Sequence, residues 1–417
     1  MHLKYRQTCR ACGCAALTPV LDLGAQHLQG SFVKEGKELP PLRRVPLKLV
    51  RCDVTRDENA CGLLQLSHST PTEILYSAYW YRSGTNRTMT DHLSGIATRA
   101  SELLGRDEAR VLDIGCNDGT LLAAYPDAYE RFGVDPSDVA QEAAKRFNVV
   151  QDLFPSSQIT RFADERPFDI ITSIAMFYDL EDPVAFVRSV KACLAPQGLW
   201  VFEMSYMPTM LEKNSYDTIC HEHLEYYSLA VLEFIAGRAG MKIIDAELND
   251  INGGSIRCYA THADNFVHFE PSKSLAELRR KEFDLALDTD KPYRDFQDRI
   301  EAHRDALKAL IKKLVGEGKK VHIYGASTKG NTILQFCGID NTLIECAAER
   351  NPDKYGARTL GTDIPIVSEA ESRAKGPDYY LVLPWHFKAE FVDREQAMLK
   401  KGVGMIFPLP EIEVVRK

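Results

Sequence analysis

A glycine-rich turn between a strand and a helix is the feature that most constrains how this chain can fold. Residues 110–115 are apolar and β-branched, end at glycine, and are followed by a helical pattern. Further short apolar segments lie at 132–135, 168–173 and 198–203, and helical stretches separate them. Strands that alternate with helices favour parallel pairing, with the helices covering both faces of the sheet. We therefore predict a doubly wound, Rossmann-like α/β sheet.

The chain is too long for one ordinary core, because it has 417 residues. A long, charged, helix-periodic stretch at 273–316 predicts a connecting helical pair, and a second α/β pattern follows it. Apolar strands at 320–325 and 379–384 belong to that second pattern. We expect a short-stranded N-terminal module, a first α/β module with a preceding helical segment, and a second α/β module, at 1–70, 71–250 and 251–417.

The glycine turn indicates which ligand the first α/β module binds. It is not the G-x-G-x-x-G of dinucleotide sites, and it is followed about twenty residues on by Asp135, which can bind both hydroxyls of a ribose. This is the arrangement of class I S-adenosylmethionine-dependent methyltransferases, in which Asp152 would border adenine. The alternative is a turn that merely closes a βα unit. The residues we expect to contact the cofactor are Asp113, Gly115, Asn117, Asp118, Asp135 and Asp152.

Four cysteines near the N-terminus have the spacing of a metal site. Cys9 and Cys12 form a C-x-x-C pair, and Cys52 and Cys61 form a wider pair that can complete a tetrahedral structural zinc site. Four sulfur ligands leave no open position, so a catalytic zinc is not expected. Cys14 is a spare that could replace Cys12. The alternative is a set of reduced cysteines that only pack.

A candidate catalytic segment follows the fourth strand of the first sheet, at 216–228. It contains the sequence His-Glu-His at 221–223, and an imidazole is a suitable base near neutral pH. We expect an adjacent carboxylate to fix the tautomer of the base or raise its basicity. A structural turn and a second metal site are the alternatives.

These features together resemble a known family over nearly the whole chain: the nucleotide-sugar C-methyltransferases that alkylate C3 of 4-keto deoxysugars. The resemblance depends on four features in order: the cysteines 9, 12, 52 and 61, D-I-G-C-N-D-G at 113–119, H-E-H at 221–223, and Y-G-A-S-T-K-G-N at 324–331. It implies that the N-terminal zinc module and the C-terminal domain help to enclose a sugar nucleotide. It also implies that S-adenosylmethionine donates the methyl group.

The resemblance also implies roles for individual residues. His223, with Glu222 beside it, would remove the C3 proton, and the 4-keto group would hold the resulting enolate. Tyr79 or Tyr81 would approach the sugar. The family often has a histidine after the third strand of the methyltransferase sheet, and that position falls here on Tyr178 or Asp179. If that histidine polarises the ketone, Tyr178 is the residue that could replace it. Lys329 would meet a phosphate or be a solvated loop lysine.

Composition excludes some partners and leaves other questions open. A net charge of −8 argues against a nucleic-acid partner, and no apolar run is long enough for a membrane span. Without a signal-like N-terminus we expect a reducing, cytoplasmic location.

The alternatives to this function are an O- or N-methyltransferase, an epimerase-like enzyme, and a non-catalytic protein that binds S-adenosylmethionine or a sugar nucleotide. The nucleotide, the sugar and the oligomeric state stay open. The histidines without a spacing signal are interpreted as ordinary surface or core residues: His27, His68, His92, His303 and His386.

Overall fold

An antiparallel sheet comes first in the computed structural model, which describes residues 3–34, 36, 44–70, 82–265 and 272–417. Alternate residues of its central strand are fully buried, as Val45, Leu47 and Leu49 illustrate, because one face of the sheet packs on the core. The strands of this module are β1 (Lys4–Tyr5), β2 (Leu17–Gln26), β3 (Phe32–Lys34), β4 (Val45–Cys52), β5 (Leu64–Leu66) and β6 (His68–Ser69).

The predicted doubly wound sheet follows, with seven strands in the order β13-β14-β11-β10-β7-β8-β9. Its central strands are parallel and buried along their length, as expected when helices cover both faces. The strands of this part of the chain are β7 (Arg110–Ile114), β8 (Glu130–Val134), β9 (Asn148–Val150), β10 (Phe168–Ile174), β11 (Leu194–Ser205), β12 (Glu225–Tyr226), β13 (Met241–Asn249) and β14 (Ser255–His262).

Helices around this sheet begin and end at residues that suit those positions. The first begins after Asn86, whose side chain accepts a hydrogen bond from Met89 N, and it ends at Gly105 in the left-handed conformation. The helices are α1 (Arg87–Leu104), α2 (Thr120–Ala124), α3 (Ala140–Ala143), α4 (Ser157–Glu165), α5 (Pro183–Cys193), α6 (Met207–Glu212) and α7 (Leu229–Arg238).

The predicted helical pair is present as α8 (Lys273–Asp284) and α9 (Lys291–Gly316). In α9 the buried residues recur every three or four positions, including Phe296, Ile300 and Leu307, so one side of the helix packs against the core. No helix among the described residues is both long enough and apolar enough to cross a membrane.

The second α/β pattern forms a six-stranded sheet in the order β18-β16-β15-β19-β20-β21, parallel except for its last strand. Its strands are β15 (Val321–Tyr324), β16 (Ala347–Glu349), β17 (Ala357–Thr359), β18 (Ile366–Ser368), β19 (Tyr379–Val382), β20 (Gly404–Phe407) and β21 (Glu413–Val415). Its helices are α10 (Thr328–Cys337), α11 (Glu369–Ala374), α12 (Lys388–Arg394) and α13 (Gln396–Leu399).

Short strands of the second and third modules pair with strands of the N-terminal module. The strand β12, which directly follows the His-Glu-His segment, pairs with β5 at the edge of the N-terminal sheet, and β17 pairs with β3. The hairpin of β13 and β14 crosses residue 250, where the sequence pattern suggested a boundary, and both strands belong to the seven-stranded sheet. That boundary therefore falls within a sheet, because β14 pairs in antiparallel orientation with β11 of the first α/β module.

Candidate active site

One large cavity lies where the carboxyl ends of the strands of both parallel sheets meet. Its volume is about 1010 Å³, and residues from both α/β modules and from the N-terminal module line it. Ligands bind at the carboxyl ends of strands in open α/β sheets. Here two such edges face a single space, large enough for more than one ligand of nucleotide size.

The glycine turn forms one wall of this cavity. Asn117 adopts a positive φ of 49°, and Gly119 has a φ of 79°. A Cβ on Gly119 would lie 2.9 Å from the Cβ of Ala143, so only glycine lets α2 approach the next helix this closely. The backbone N–H of Asn117 donates to Asp135 Oδ2 at 2.9 Å, which joins the turn to the end of β8. This geometry fits a ligand that approaches the backbone closely.

Asp113, at the end of β7, is almost completely buried beside this turn. Its Oδ1 accepts a hydrogen bond from Thr172 Oγ1 at 2.6 Å. Burial raises the pKa of Asp113 to about 7, the charge of Asp135 adds to the rise, and the Thr172 hydrogen bond opposes it. The carboxyl is thus easily protonated near neutral pH.

The structure brings five of the six expected cofactor residues to the cavity wall: Asp113, Gly115, Asn117, Asp135 and Asp152. The sixth, Asp118, does not line the cavity and has another role. Its Oδ1 accepts from Thr120 N at 3.1 Å, and its Oδ2 accepts from Gly84 N at 2.8 Å. Asp118 therefore holds the start of α2 and the segment before α1. That segment is also tied by Ser83 N, which donates to Asn117 Oδ1 at 3.0 Å.

His223 faces the same cavity, and its surroundings define which ring nitrogen can act as a base. Its Nδ1 lies 2.7 Å from the carbonyl oxygen of Thr218, an acceptor only, so Nδ1 carries the proton and Nε2 holds the lone pair. The Tyr178 ring packs against the imidazole, with 4.2 Å between ring centroids. Burial lowers the pKa of His223 to about 3, and the nearby Lys329 charge contributes. The side chain is neutral and its Nε2 is an available acceptor.

Glu222 does not orient His223, contrary to our expectation from the sequence. The backbone carbonyl of Thr218 fixes the tautomer instead, because the chain turns back on itself between these residues. Glu222 lies against Gly30 of the N-terminal module, where a Cβ would overlap its carboxylate. Burial raises the pKa of Glu222 to about 7, while contacts with Cys220 and the Gly30 backbone oppose the rise. Glu222 thus lines the cavity beside His223.

The other histidine of the motif has a structural environment. His221 is fully buried, with Nδ1 2.7 Å from Gln29 Oε1 and Nε2 3.2 Å from the carbonyl oxygen of Val45. It joins the motif to the N-terminal module and is turned away from the cavity. A second metal site at His-Glu-His is therefore not supported. Tyr79 and Tyr81 lie outside the described residues.

The C-terminal module contributes residues that the sequence pattern did not single out. Glu349 at the end of β16, Lys354 after it and His386 after β19 all line the cavity. Their position after strand ends was the available signal. Lys329 also lines the cavity, where its Nζ donates to the carbonyl oxygen of Asn252 at 2.7 Å. Burial lowers the pKa of Lys329. The solvated-loop interpretation of Lys329 is therefore wrong.

The four expected zinc ligands converge on one point. Their Sγ atoms all lie within 4.8 Å of one another, with 3.6 Å between Cys9 and Cys61 and 3.4 Å between Cys12 and Cys52. Sulfurs around a tetrahedral zinc at the usual bond length are separated by about 3.8 Å. Cys14 is not part of the cluster, because its thiol donates to Asp57 Oδ2 at 3.2 Å. The cluster fits a structural zinc ion held by Cys9, Cys12, Cys52 and Cys61.

Comparison with known proteins agrees with this three-part site. The chain matches a zinc binding domain family over residues 9–76, a methyltransferase domain family over 85–246 and the C-methyltransferase C-terminal domain family over 250–410. It is 29% identical to the C-methyltransferase NovU of Streptomyces niveus over 98% of this chain and 96% of that protein.

More distant likenesses cover the methyltransferase module. The ubiquinone biosynthesis O-methyltransferase of Actinobacillus pleuropneumoniae is 32% identical over 26% of this chain and 50% of its own length. A crystal structure of an S-adenosylmethionine-dependent methyltransferase from Clostridium acetobutylicum is 15% identical, covering 42% of this chain and 92% of that one with a TM-score of 0.34. Only NovU, among these, matches all three modules. The chain therefore combines a zinc binding domain, a methyltransferase domain and a C-methyltransferase C-terminal domain, and it is an S-adenosylmethionine-dependent methyltransferase.

Proposed function

We propose that this enzyme methylates C3 of a nucleotide-linked 4-keto-deoxysugar after base-assisted enolisation. The observation that carries the proposal is the shared cavity. It contains the glycine turn of the methyltransferase module, the base His223 and the strand ends of a second nucleotide-type module. A methyl donor and a second, nucleotide-linked ligand can therefore meet at one imidazole.

The two α/β modules repeat one local arrangement, which supports a nucleotide in each. In the first, Asn117 N donates to Asp135 Oδ2 at 2.9 Å. In the second, Ala326 N in the corresponding glycine loop donates to Glu349 Oε2 at 3.0 Å. An acidic residue at this place after the second strand is suited to a ribose. We assign the first to S-adenosylmethionine and the second to the sugar nucleotide.

The charge of the second half of the cavity supports a diphosphate. The cations that line it on the C-terminal module are Lys329, Arg350, Lys354 and Arg394. Lys354 is held by the Ala326 carbonyl oxygen at 2.8 Å and by Glu349 at 3.6 Å. Ammonium and guanidinium groups at the end of a parallel strand suit the anionic part of a sugar nucleotide.

The chemistry follows from the tautomer of His223. Its Nε2 takes the C3 proton, the C–H electron pair forms a C3–C4 double bond, and the carbonyl electron pair moves onto O4. S-adenosylmethionine supplies an electrophilic methyl group on a sulfonium ion. As C3 attacks that methyl carbon, the C–S electron pair stays on sulfur and the proton leaves His223 for solvent.

Methyl transfer to oxygen is the second candidate, because the methyltransferase module also matches O-methyltransferases. His223 Nε2 could equally accept a hydroxyl proton. The two reactions differ in one respect: only carbon methylation requires removal of a proton from carbon.

Mass spectrometry in deuterated water tests this difference. The enzyme is incubated with thymidine, guanosine and cytidine diphosphate-linked 4-keto-6-deoxysugars, with and without S-adenosylmethionine. We expect deuterium at C3 without the donor and a carbon-bound methyl group with it. Methyl transfer without carbon-bound deuterium would favour an oxygen or nitrogen acceptor. No reaction with any sugar, despite donor binding, would refute the substrate class.

His223→Ala and His221→Gln provide a matched pair for the same assay. His223→Ala should lower exchange and turnover by about 10²–10⁴-fold while donor affinity is kept. His221→Gln should retain exchange per folded molecule and lower the melting temperature, because it disturbs buried contacts with Gln29 and Val45. Normal turnover by His223→Ala would refute the assignment of the base.

A further inference from the structure

A second imidazole faces the cavity from the C-terminal module. His386 lies in the short turn Trp385–Phe387 that follows β19, and it lines the cavity that His223 also lines. The turn is anchored across modules, since the buried indole Nε1 of Trp385 donates to Asp217 Oδ2 at 2.8 Å. Asp217 is only six residues before His223 in the chain. The two histidines are therefore held on opposite modules, with Trp385 and Asp217 joining them.

The ring nitrogens of His386 have different surroundings. Its Nδ1 is buried and has no hydrogen-bond partner among the described residues. A buried N–H without an acceptor is less tolerated than a buried acceptor without a donor. We therefore assign the unprotonated nitrogen to Nδ1 and the N–H to Nε2, the nitrogen left for the cavity. This is the opposite tautomer to that of His223, whose Nε2 holds a lone pair.

Lys329 is close to both imidazoles. The pKa of His223 and that of His386 are each lowered to about 3, chiefly by burial, and the charge of Lys329 contributes to both decreases. Both rings are thus neutral beside an ammonium group. One Lys329 N–H is used by the carbonyl oxygen of Asn252 at 2.7 Å, and an ammonium group has three donors.

One cavity thus contains a lone pair on one side and N–H donors with a positive charge on the other. Removal of a proton next to a carbonyl requires both, because the base accepts the proton while negative charge develops on the carbonyl oxygen. Donors that are already in place stabilise that oxygen without reorganisation.

We propose that His386 is a further catalytic residue, whose Nε2–H donates a hydrogen bond to the carbonyl oxygen of the acceptor and stabilises the enolate beside Lys329. The inference rests on the proposed enolisation at C3. No proton is lost from His386 during the step. The proton from carbon goes to His223, the electron pair goes to the oxygen held by His386, and that pair returns when carbon attacks the methyl group.

The test compares variants that keep or lose a donor at this position. His386→Phe keeps a ring but has no N–H, His386→Leu is a second donor-free variant, and His386→Gln keeps an N–H. The control is His262→Gln, since His262 contacts the carbonyl oxygen of Leu194 and does not line the cavity. For each full-length variant, the rate of deuterium uptake at C3 is measured without methyl donor, with the sugar nucleotide that the wild type exchanges fastest.

We expect the donor-free variants to exchange about 10²–10³-fold more slowly than the wild type, the loss typical for one oxyanion donor. His386→Gln should recover at least part of the rate, which a merely structural role would not predict. S-adenosylmethionine affinity should be unchanged. Exchange at the wild-type rate by either folded donor-free variant, or equal loss in His386→Gln, would overturn the inference alone. A wild type without exchange would overturn the proposed function and with it this role.

Discussion

At the scale of single residues, hydrogen-bond partners determine what otherwise similar side chains can do. His221 and His223 are two positions apart, yet His221 uses both ring nitrogens on the N-terminal module while His223 uses only Nδ1. Glu222 between them contacts Gly30 and not the imidazole of His223. The motif is therefore one structural histidine followed by two cavity residues.

The buried carboxyl of Asp113 should make stability depend on pH. Its pKa in the folded protein is raised to about 7 from 3.8, chiefly by burial. Its contribution to stability is thus fully present below pH 3.8 and is lost as pH rises through about 7. Asp113→Asn stays neutral, so its stability relative to the wild type should rise by roughly 1–3 kcal/mol between pH 5 and pH 8. Urea unfolding without ligands measures this.

The exposed residue Asp127 supplies the control for that experiment. Its side chain is fully accessible and, among the residues that the structure describes, pairs only with Arg131, so Asp127→Asn should follow the wild-type pH dependence. A difference between Asp113→Asn and the wild type that stayed constant from pH 5 to pH 8 would contradict the buried-acid interpretation.

At the scale of secondary-structure elements, the zinc module positions the catalytic segment. The strand β12 begins two residues after His223 and pairs with β5, and β5 pairs with β4, whose last residue is the zinc ligand Cys52. A zinc site at one end of a small sheet thus holds the chain next to His223, the proposed base. The zinc is structural, yet we expect its loss to lower the rate of turnover.

Cys52→Ser should therefore lower turnover more than it lowers donor affinity. Loss of a thiolate removes zinc and loosens β4 and β5, and misplacement of a base by about 1 Å can reduce the rate on the order of 10²-fold. Metal content, turnover and donor affinity are measured on one preparation. Cys14→Ser is the matched control, because Cys14 bonds to Asp57 outside the cluster and should retain zinc and activity. Full turnover by a zinc-free Cys52→Ser enzyme would exclude this coupling.

Local patterns predicted the elements better than their partners. The strands β7, β8, β10, β11, β15 and β19 and the pair α8 and α9 follow from apolar runs and helical periodicity. The pairing of β12 with β5 does not follow from such patterns. A strand of two residues has no recognisable periodicity, and the paired residues lie far apart in the sequence, in different modules. The sequence does not single out His386 for the same reason, because the role we propose for it depends on the contact of Trp385 with Asp217 across modules. The convergence of four cysteines was predictable, since metal spacing is itself a local signal.

At the scale of the whole molecule, one cavity between two modules implies that S-adenosylmethionine and the proposed sugar nucleotide affect each other's binding. Arg82 connects the modules at the cavity edge, with Nε 3.0 Å from Glu142 in α3 and Nη1 3.1 Å from Asp353 after β16. The next residue, Ser83, donates to Asn117 in the glycine turn. Arg82 can thus transmit ligand binding at one module to the other.

Arg82→Met should weaken this coupling without abolishing either binding event. Partly exposed ion pairs contribute about 0–1 kcal/mol each, so the increase in S-adenosylmethionine affinity caused by a sugar nucleotide should fall by up to about 5-fold. By reciprocity, the donor's effect on sugar-nucleotide affinity should fall by the same factor. Calorimetric titration of each ligand with and without the other measures both.

A salt series and a control variant at a neighbouring arginine distinguish loss of this coupling from a general effect of removing one positive charge. High salt should reduce the coupling of the wild type and have little further effect on Arg82→Met, because exposed pairs are screened. Arg87→Met is the control, since within the described part of the chain Arg87 pairs only with Asp91 of the same helix and connects no modules. If Arg82→Met kept the wild-type coupling in both directions, the two modules would have to communicate through the buried contacts of Trp385 and Lys329 instead, which salt would not screen.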